Sequence, residues 1–290
     1  EHQFVAVELS GIDPAEVLGA DELHFTGRDL VSLAAHHRQE GGSSRAVSHG
    51  GDENDLLALC ARTSTHFREQ LADLPPLPDT AAEIREIAKS LDADAETSVF
   101  LRTRARERRI KTEDLSQAKV IALATHGLVP GDLDGLTQPA LALSHPGELS
   151  PLDDGLLTMG EVLGLKLDAD WVVLSACNTA AGEEEGGTAF SGLSRAFFYA
   201  GARALLVSNW PVETRSARRL TTGLFEAQAR APGLSRAEAL RQSVVQLIDG
   251  PGPLGADGAT QLYSYAHPLF WAPFSLFGDG SGTGETLALN

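Results

Sequence analysis

Two stretches hold residue types that could do chemistry. "KVIALATHG", beginning at Lys119, delivers His126 after an apolar run, and "WVVLSACN", beginning at Trp171, delivers Cys177 after another. In open α/β sheets, sites form just outside the carboxyl ends of the strands, so an imidazole and a thiol that each follow a buried strand can face each other across that edge. A thiol with a pKa near ~8.5 is mostly protonated at neutral pH, and only the thiolate attacks well. A neighbouring imidazole removes that proton. Gly127, which has no side chain, leaves its N–H open to a developing oxyanion, and the N–H of Cys177 at the strand-to-loop turn is a second donor. A lone cysteine or histidine is more often a packing residue. The joint placement after two buried strands is what points to a His126/Cys177 dyad with an oxyanion hole at Gly127 and Cys177.

The other candidates carry less. Cys60, in the helix-like "LLALCARTS", reads as a core residue. His36 and His37 adjoin each other and lack the i, i+4 spacing that puts two ligands on one helix face. Glu183, Glu184 and Glu185 read as a solvated loop rather than a calcium site, and Gly182, Gly186 and Gly187 make that loop pliable. No metal and no cofactor are expected. The net charge of −17 argues against nucleic acid, which needs clustered Lys and Arg. The one basic island, "RTRARERRIK" from Arg102, reads as a solvated helix face. No apolar run approaches ~18 residues, so no membrane span is expected. Two cysteines without a CxxC pair fit a reducing compartment, which sets the expectation of a cytoplasmic protein.

The elements that must hold the dyad follow from the patterning. From Lys119 on, apolar runs alternate with helix-like segments, the signature of a mostly parallel sheet with helices on both faces. The runs are "KVIALATHG", "PALALS" from Pro139, "WVVLSACN", "ARALLVSNW" from Ala202 and "FWAPFSLFG" from Phe270. Their continuity implies burial on both faces. Helical spacing marks "LLTMGEVLGL", "GGTAFSGLSRAFFYAGA" and the region from Glu213 to Ile248, which "APGLS" divides in two with Ser235 as a cap. In the first third, "FVAVEL" reads as a strand, and "DTAAEIREIAKSL" reads as a helix opened by a capping residue after "LPPLP".

These residues resemble the CHAT family, caspase-like domains found beside tetratricopeptide repeats. The resemblance runs from about Asp79 to Gly280 through "LPDTAAEIREIA", "ATHG", "DDGLLTMGEV", "LSACNT", "GLSRAFFYAGARALLVSNWPVE", "SRAEALRQS" and "HPLFWAPFSLFGD". It implies a caspase-like fold for residues 79–280, a divergent or accessory amino-terminal part over residues 1–78 and a tail over 281–290. It further implies that His126 is the dyad histidine and Cys177 the nucleophile. Family members carry a "PDG…LPF" pattern upstream that residues 1–74 do not show clearly. The segment "SNWPVETRSARR" resembles the separase-like stretch that helps form the pocket for the residue before the cut. Glu213 there would select a basic side chain, whereas Arg215, Arg218 or Arg219 would select an acidic one.

The resulting expectation is a cysteine endopeptidase acting on a protein partner in regulated bacterial proteolysis, with a tetratricopeptide-repeat region in the same chain or a partner. The alternative is a catalytically silent scaffold of the same fold that binds a protein.

Overall fold

The computed structural model describes residues 3–8, 67, 69–75, 77, 79–146, 150, 152–175, 192–255 and 257–282. Six strands form the central sheet: β1 (Gln3–Glu8), β2 (Val99–Leu101), β3 (Ala118–Ala124), β7 (Trp171–Leu174), β8 (Ala204–Ser208) and β9 (Phe274–Gly278). Their order is β2-β1-β3-β7-β8-β9. All neighbours run parallel except β9, which lies antiparallel to β8 at the edge. The "FVAVEL" strand is therefore the second strand of the main sheet, paired with both β2 and β3.

Period-two alternation explains why the central runs are apolar throughout. Ile121 and Leu123 of β3, Val172 and Leu174 of β7, and Leu205 and Val207 of β8 pack into one cluster with Phe197. Val120, Ala122, Trp171, Val173, Ala204 and Leu206 pack into another on the opposite face. Successive side chains leave a strand on opposite faces, so a strand covered on both needs apolar residues at every position.

The first face is covered by α3 (Glu107–Thr112), α4 (Met159–Leu163) and α5 (Gly192–Ala200), the second by α1 (Thr80–Ser90), α6 (Thr214–Arg230) and α7 (Arg236–Asp249). A short helix α2 (Ala95–Ser98) leads into β2. Ser235 caps α7 by accepting from Glu238 N–H, as the sequence predicts. Asp79 precedes α1 but makes no side-chain cap. Its carboxylate instead accepts from the Thr214 hydroxyl at 2.6 Å and lies 3.7 Å from Arg218, tying α1 to α6.

Two further expectations are corrected. The "PALALS" run is not in the main sheet: it forms β5 (Ala140–Ala142) in a separate antiparallel sheet between β4 (Gly127–Leu128) and β6 (Leu156–Thr158). Leu141 faces the main core while Ala140 and Ala142 face a third cluster with Leu71, Leu128 and Leu156. Burial on both faces gave it the continuous apolar character of a parallel strand. "LLTMGEVLGL" divides, because Thr158 and Glu161 form a capping box that starts α4 only after β6 has ended. The basic island is largely exposed as expected, with Arg102, Arg104, Arg108 and Arg109 open to solvent, and part of it is also tied down. Lys111 bridges Glu107 and Glu161 at 2.7 Å each, Arg106 pairs with Asp153 at 3.1 Å, and Arg109 lies over the Phe100 ring at 4.1 Å.

One buried carboxyl links the helical layer to the sheet. Glu83 occupies the inward stripe of α1 with Thr80, Ile84 and Ile87 and is 2% exposed. It accepts from the Thr221 hydroxyl of α6 at 2.8 Å and from the Ser175 hydroxyl, at the end of β7, at 3.2 Å. Burial raises its pKa from 4.5 to about 7, against the opposing pull of those hydroxyl bonds.

Two predictions follow from this packing. Gly201, between α5 and β8, has φ +116°, and an added Cβ would lie 2.1 Å from the Leu167 carbonyl oxygen. Gly201→Ala should cost about 3 kcal/mol or more, read as a thermal midpoint lower by roughly 6–12 °C. For Glu83 the folded state holds its proton more tightly than the unfolded state does. Its contribution to stability is full below pH 4.5 and is lost as pH rises through about 7. Glu83→Gln should flatten that slope, with melting temperatures near wild type at pH 5 and higher than wild type at pH 8; thermal unfolding across the range checks it.

Candidate active site

The order of the strands locates the site. From β1 the chain adds β2 on one side and then β3 on the other, so the direction of winding reverses between β1 and β3. At such a switch point the connections leave opposite faces and open a crevice beyond the carboxyl ends. Glu8 pairs with Ala124 at that end. The chain then passes through Thr125 to His126.

His126 is half-buried and hydrogen-bonded through Nε2 to the carbonyl of Pro75 at 2.8 Å. A carbonyl only accepts, so Nε2 carries the proton and the neutral ring keeps its lone pair on Nδ1. Burial pushes the imidazole pKa below its ordinary 6.5, with the Pro75 carbonyl acting in the opposite direction. At neutral pH the ring is therefore an unprotonated base of fixed tautomer. Pro75 is followed by another proline, which restricts it to extended backbone and fixes where its carbonyl points.

Thr125 and Gly127 complete the strand end. The Thr125 hydroxyl donates to the Ala142 carbonyl, while Ala142 N–H donates to the His126 carbonyl at 2.9 Å. Gly127 faces Leu141, and the bond from Ala142 to His126 makes Gly127 and Leu141 the non-hydrogen-bonded pair of the ladder. The Gly127 N–H is consequently directed away from β5, free of that pairing.

Next to β3, Ser175 continues β7 and donates its N–H to the Leu123 carbonyl at 3.0 Å. Cys177 lies two residues further on, outside the described residues, as do Cys60, His36, His37 and Glu183 to Glu185. Beneath these strand ends lies a cavity of about 40 Å³. Leu77, Val212, Ala217 and Phe274 give it apolar walls, and Glu83 with the hydroxyls of Thr125 and Ser175 gives it a polar end.

The charged residues of "SNWPVETRSARR" sit elsewhere. Glu213 caps α6, accepting from Ser216 N–H at 2.7 Å, and its other oxygen accepts from the Tyr263 hydroxyl at 3.4 Å. Arg218 is held by Glu86 and Asp79, and Arg215 is exposed. That stretch reaches the cavity through Val212, Thr214 and Ala217. Sequence reasoning missed Pro75 and Glu83. The signal for Glu83 was present, since a carboxylate falls on the stripe that Ile84, Ile87 and Ala88 define; the role of the Pro75 carbonyl had no side-chain signature.

A family model described as the CHAT domain matches residues 17–279. Tetratricopeptide repeat protein 28 of Mus musculus is 29% identical over 128 residues, 44% of this chain and 5% of that protein. Tetratricopeptide repeat protein 28 of Homo sapiens matches with the same identity and coverage. This chain thus spans a small fraction of the length of these relatives. With the family model extending across nearly all of the sequence, including both "ATHG" and "SACNT", the chain belongs to the CHAT domain family.

Proposed function

We propose that this chain is a cysteine endopeptidase of caspase-like fold that cuts a protein partner by acyl transfer, with His126 and Cys177 as its dyad. The observation that carries the reading is the His126 tautomer: an imidazole with Nε2 tied to Pro75 and Nδ1 basic, just past the carboxyl end of β3 and beside the reversal between β1 and β3. In this reading Nδ1 takes the Cys177 thiol proton and the thiolate adds to the scissile carbonyl. The oxyanion is received by the N–H groups of Gly127 and Cys177. Collapse breaks the C–N bond, His126 Nδ1–H passes its proton to the departing amine, and water, deprotonated by the same nitrogen, hydrolyses the thioester. The repeat-containing relatives support a setting beside tetratricopeptide repeats, in the same polypeptide or a bound partner, with cytoplasmic regulated proteolysis as the role.

Cys177→Ala should abolish cleavage of a protein partner, and His126→Ala should lower kcat/KM by about 10²–10⁴-fold. A thiol-directed peptide electrophile should modify Cys177 far faster than it modifies free cysteine, and His126→Ala should remove that excess. A scaffold would show an ordinary thiol in both proteins. The acid limb of kcat/KM should fall below pH 6.5, because His126 is held below the ordinary imidazole value; a pH profile with a limb above it would exclude His126 as the base.

A further inference from the structure

Among the described residues, Glu83 is a buried carboxyl without a salt-bridge partner: no Lys, Arg or His makes one, and its two oxygens accept only the hydroxyls of Thr221 and Ser175. The cation nearest in effect is Arg218 of α6, whose guanidinium is already held by Glu86 and Asp79. A carboxylate in this position is costly unless a positive charge joins it. Each oxygen has one hydroxyl donor, which leaves lone pairs on both. Those lone pairs adjoin a cavity.

The lining of the cavity offers both chemistries that a long basic side chain needs. Leu77, Val212, Ala217 and Phe274 line it with carbon, which suits a methylene stem. Thr80, Thr125, Ser208 and Thr214 supply hydroxyl oxygens that can accept N–H bonds. Its location is equally specific. Thr125 immediately precedes His126, and Ser175 precedes Cys177 by two residues, at most ~7 Å of extended chain. In the peptidase reading, a side chain next to the carbonyl under attack lies close to Thr125 and Ser175, which line this cavity.

We propose that this cavity is a slot for the substrate residue preceding the cut and that Glu83 makes the enzyme select lysine or arginine there. This rests on the peptidase reading above. The stem replaces water along the apolar walls while its cation meets Glu83, and the ion pair forms out of water, where charge-assisted hydrogen bonds are strong. An aspartate or glutamate would bring like charge to the same end. Glu213, Arg215 and Arg218 then act outside the slot, as a helix cap, a surface charge and a tie between α1 and α6.

The test uses acyloxymethyl ketones of one peptide series ending in lysine, arginine, norleucine or aspartate, with the rate of Cys177 modification read by mass spectrometry. Norleucine matches the lysine stem without its charge. At pH 8 the lysine and arginine probes should react at least tenfold faster than norleucine, and aspartate slowest. Glu83→Gln should bring the ratio of lysine to norleucine close to one. In wild type the same ratio should fall as pH drops from 8 to 5.5, as Glu83 takes up its proton; the charged groups that face it are Arg218 from α6 and Asp79 ahead of α1. Taking the ratio cancels the titration of His126, and the wild-type series needs no variant to fold.

A norleucine or aspartate preference in wild type, or a lysine to norleucine ratio unmoved by both Glu83→Gln and pH, would overturn the selectivity while leaving a reactive, His126-dependent Cys177. If no probe modifies Cys177 faster than it modifies free cysteine, the peptidase reading itself fails and takes the slot with it.

Discussion

The hydrogen bond from His126 Nε2 to the Pro75 carbonyl is the constraint on which the candidate site depends. Without an acceptor there, the ring could carry its proton on either nitrogen and turn about χ2. With it, one tautomer and one ring plane are fixed, and the basic lone pair is placed on the opposite nitrogen. The two partners are 51 residues apart along the chain and come from unlike elements, a strand end and a proline-rich segment. The remaining architecture can be understood as what brings that carbonyl to that ring.

Two features do so. The reversal of strand order between β1 and β3 opens the edge beside His126, and α1 lies against the sheet on the face where Val120, Ala122 and Trp171 are buried. Pro75 and Leu77 run along the crevice just ahead of α1. The same ten residues that end in Glu83 therefore supply the acceptor for His126, a wall of the cavity and its carboxyl. Asp79 and Arg218 hold this segment to α6, so a shift of α1 would disturb the histidine and the cavity together.

The sheet was legible in the sequence because its physics is local. Period-two burial on both faces demands uninterrupted Val, Ile, Leu and Ala, and β3, β7 and β8 show it; the Ser235 cap and the break at "APGLS" were legible for the same reason. The "PALALS" run has that signature too, and what sends it to a second sheet is the turn after His126, a contact between Ala142 and His126 that no local pattern encodes. Asp79 shows the same limit: an acidic residue before a helix suggests a cap, but Thr214, 135 residues on, competes for its carboxylate and wins. In the site, His126 and Gly127 stood out by type and place. Pro75 did not, because its contribution is a backbone oxygen, and every residue has one.

Two buried glutamates meet burial with different partners. Glu107 of α3 is fully buried, yet Lys111 meets it at 2.7 Å and the N–H groups of Asp154 and Gly155 point at its other oxygen. Burial still raises its pKa to about 8 against the pull of Lys111, and its place is to fasten α3 to the turn before β6. Glu83 is nearly as deeply buried and, among the described residues, accepts from two neutral hydroxyls. Hydroxyls weaken the burial penalty without cancelling it, which is why its carboxyl titrates near neutrality. A chain that needed only to join α1, α6 and β7 at this point could do so with a glutamine, or with an apolar side chain, at lower cost. In the reading proposed above, a carboxyl retained at the wall of this cavity is met by a charge on the residue that enters.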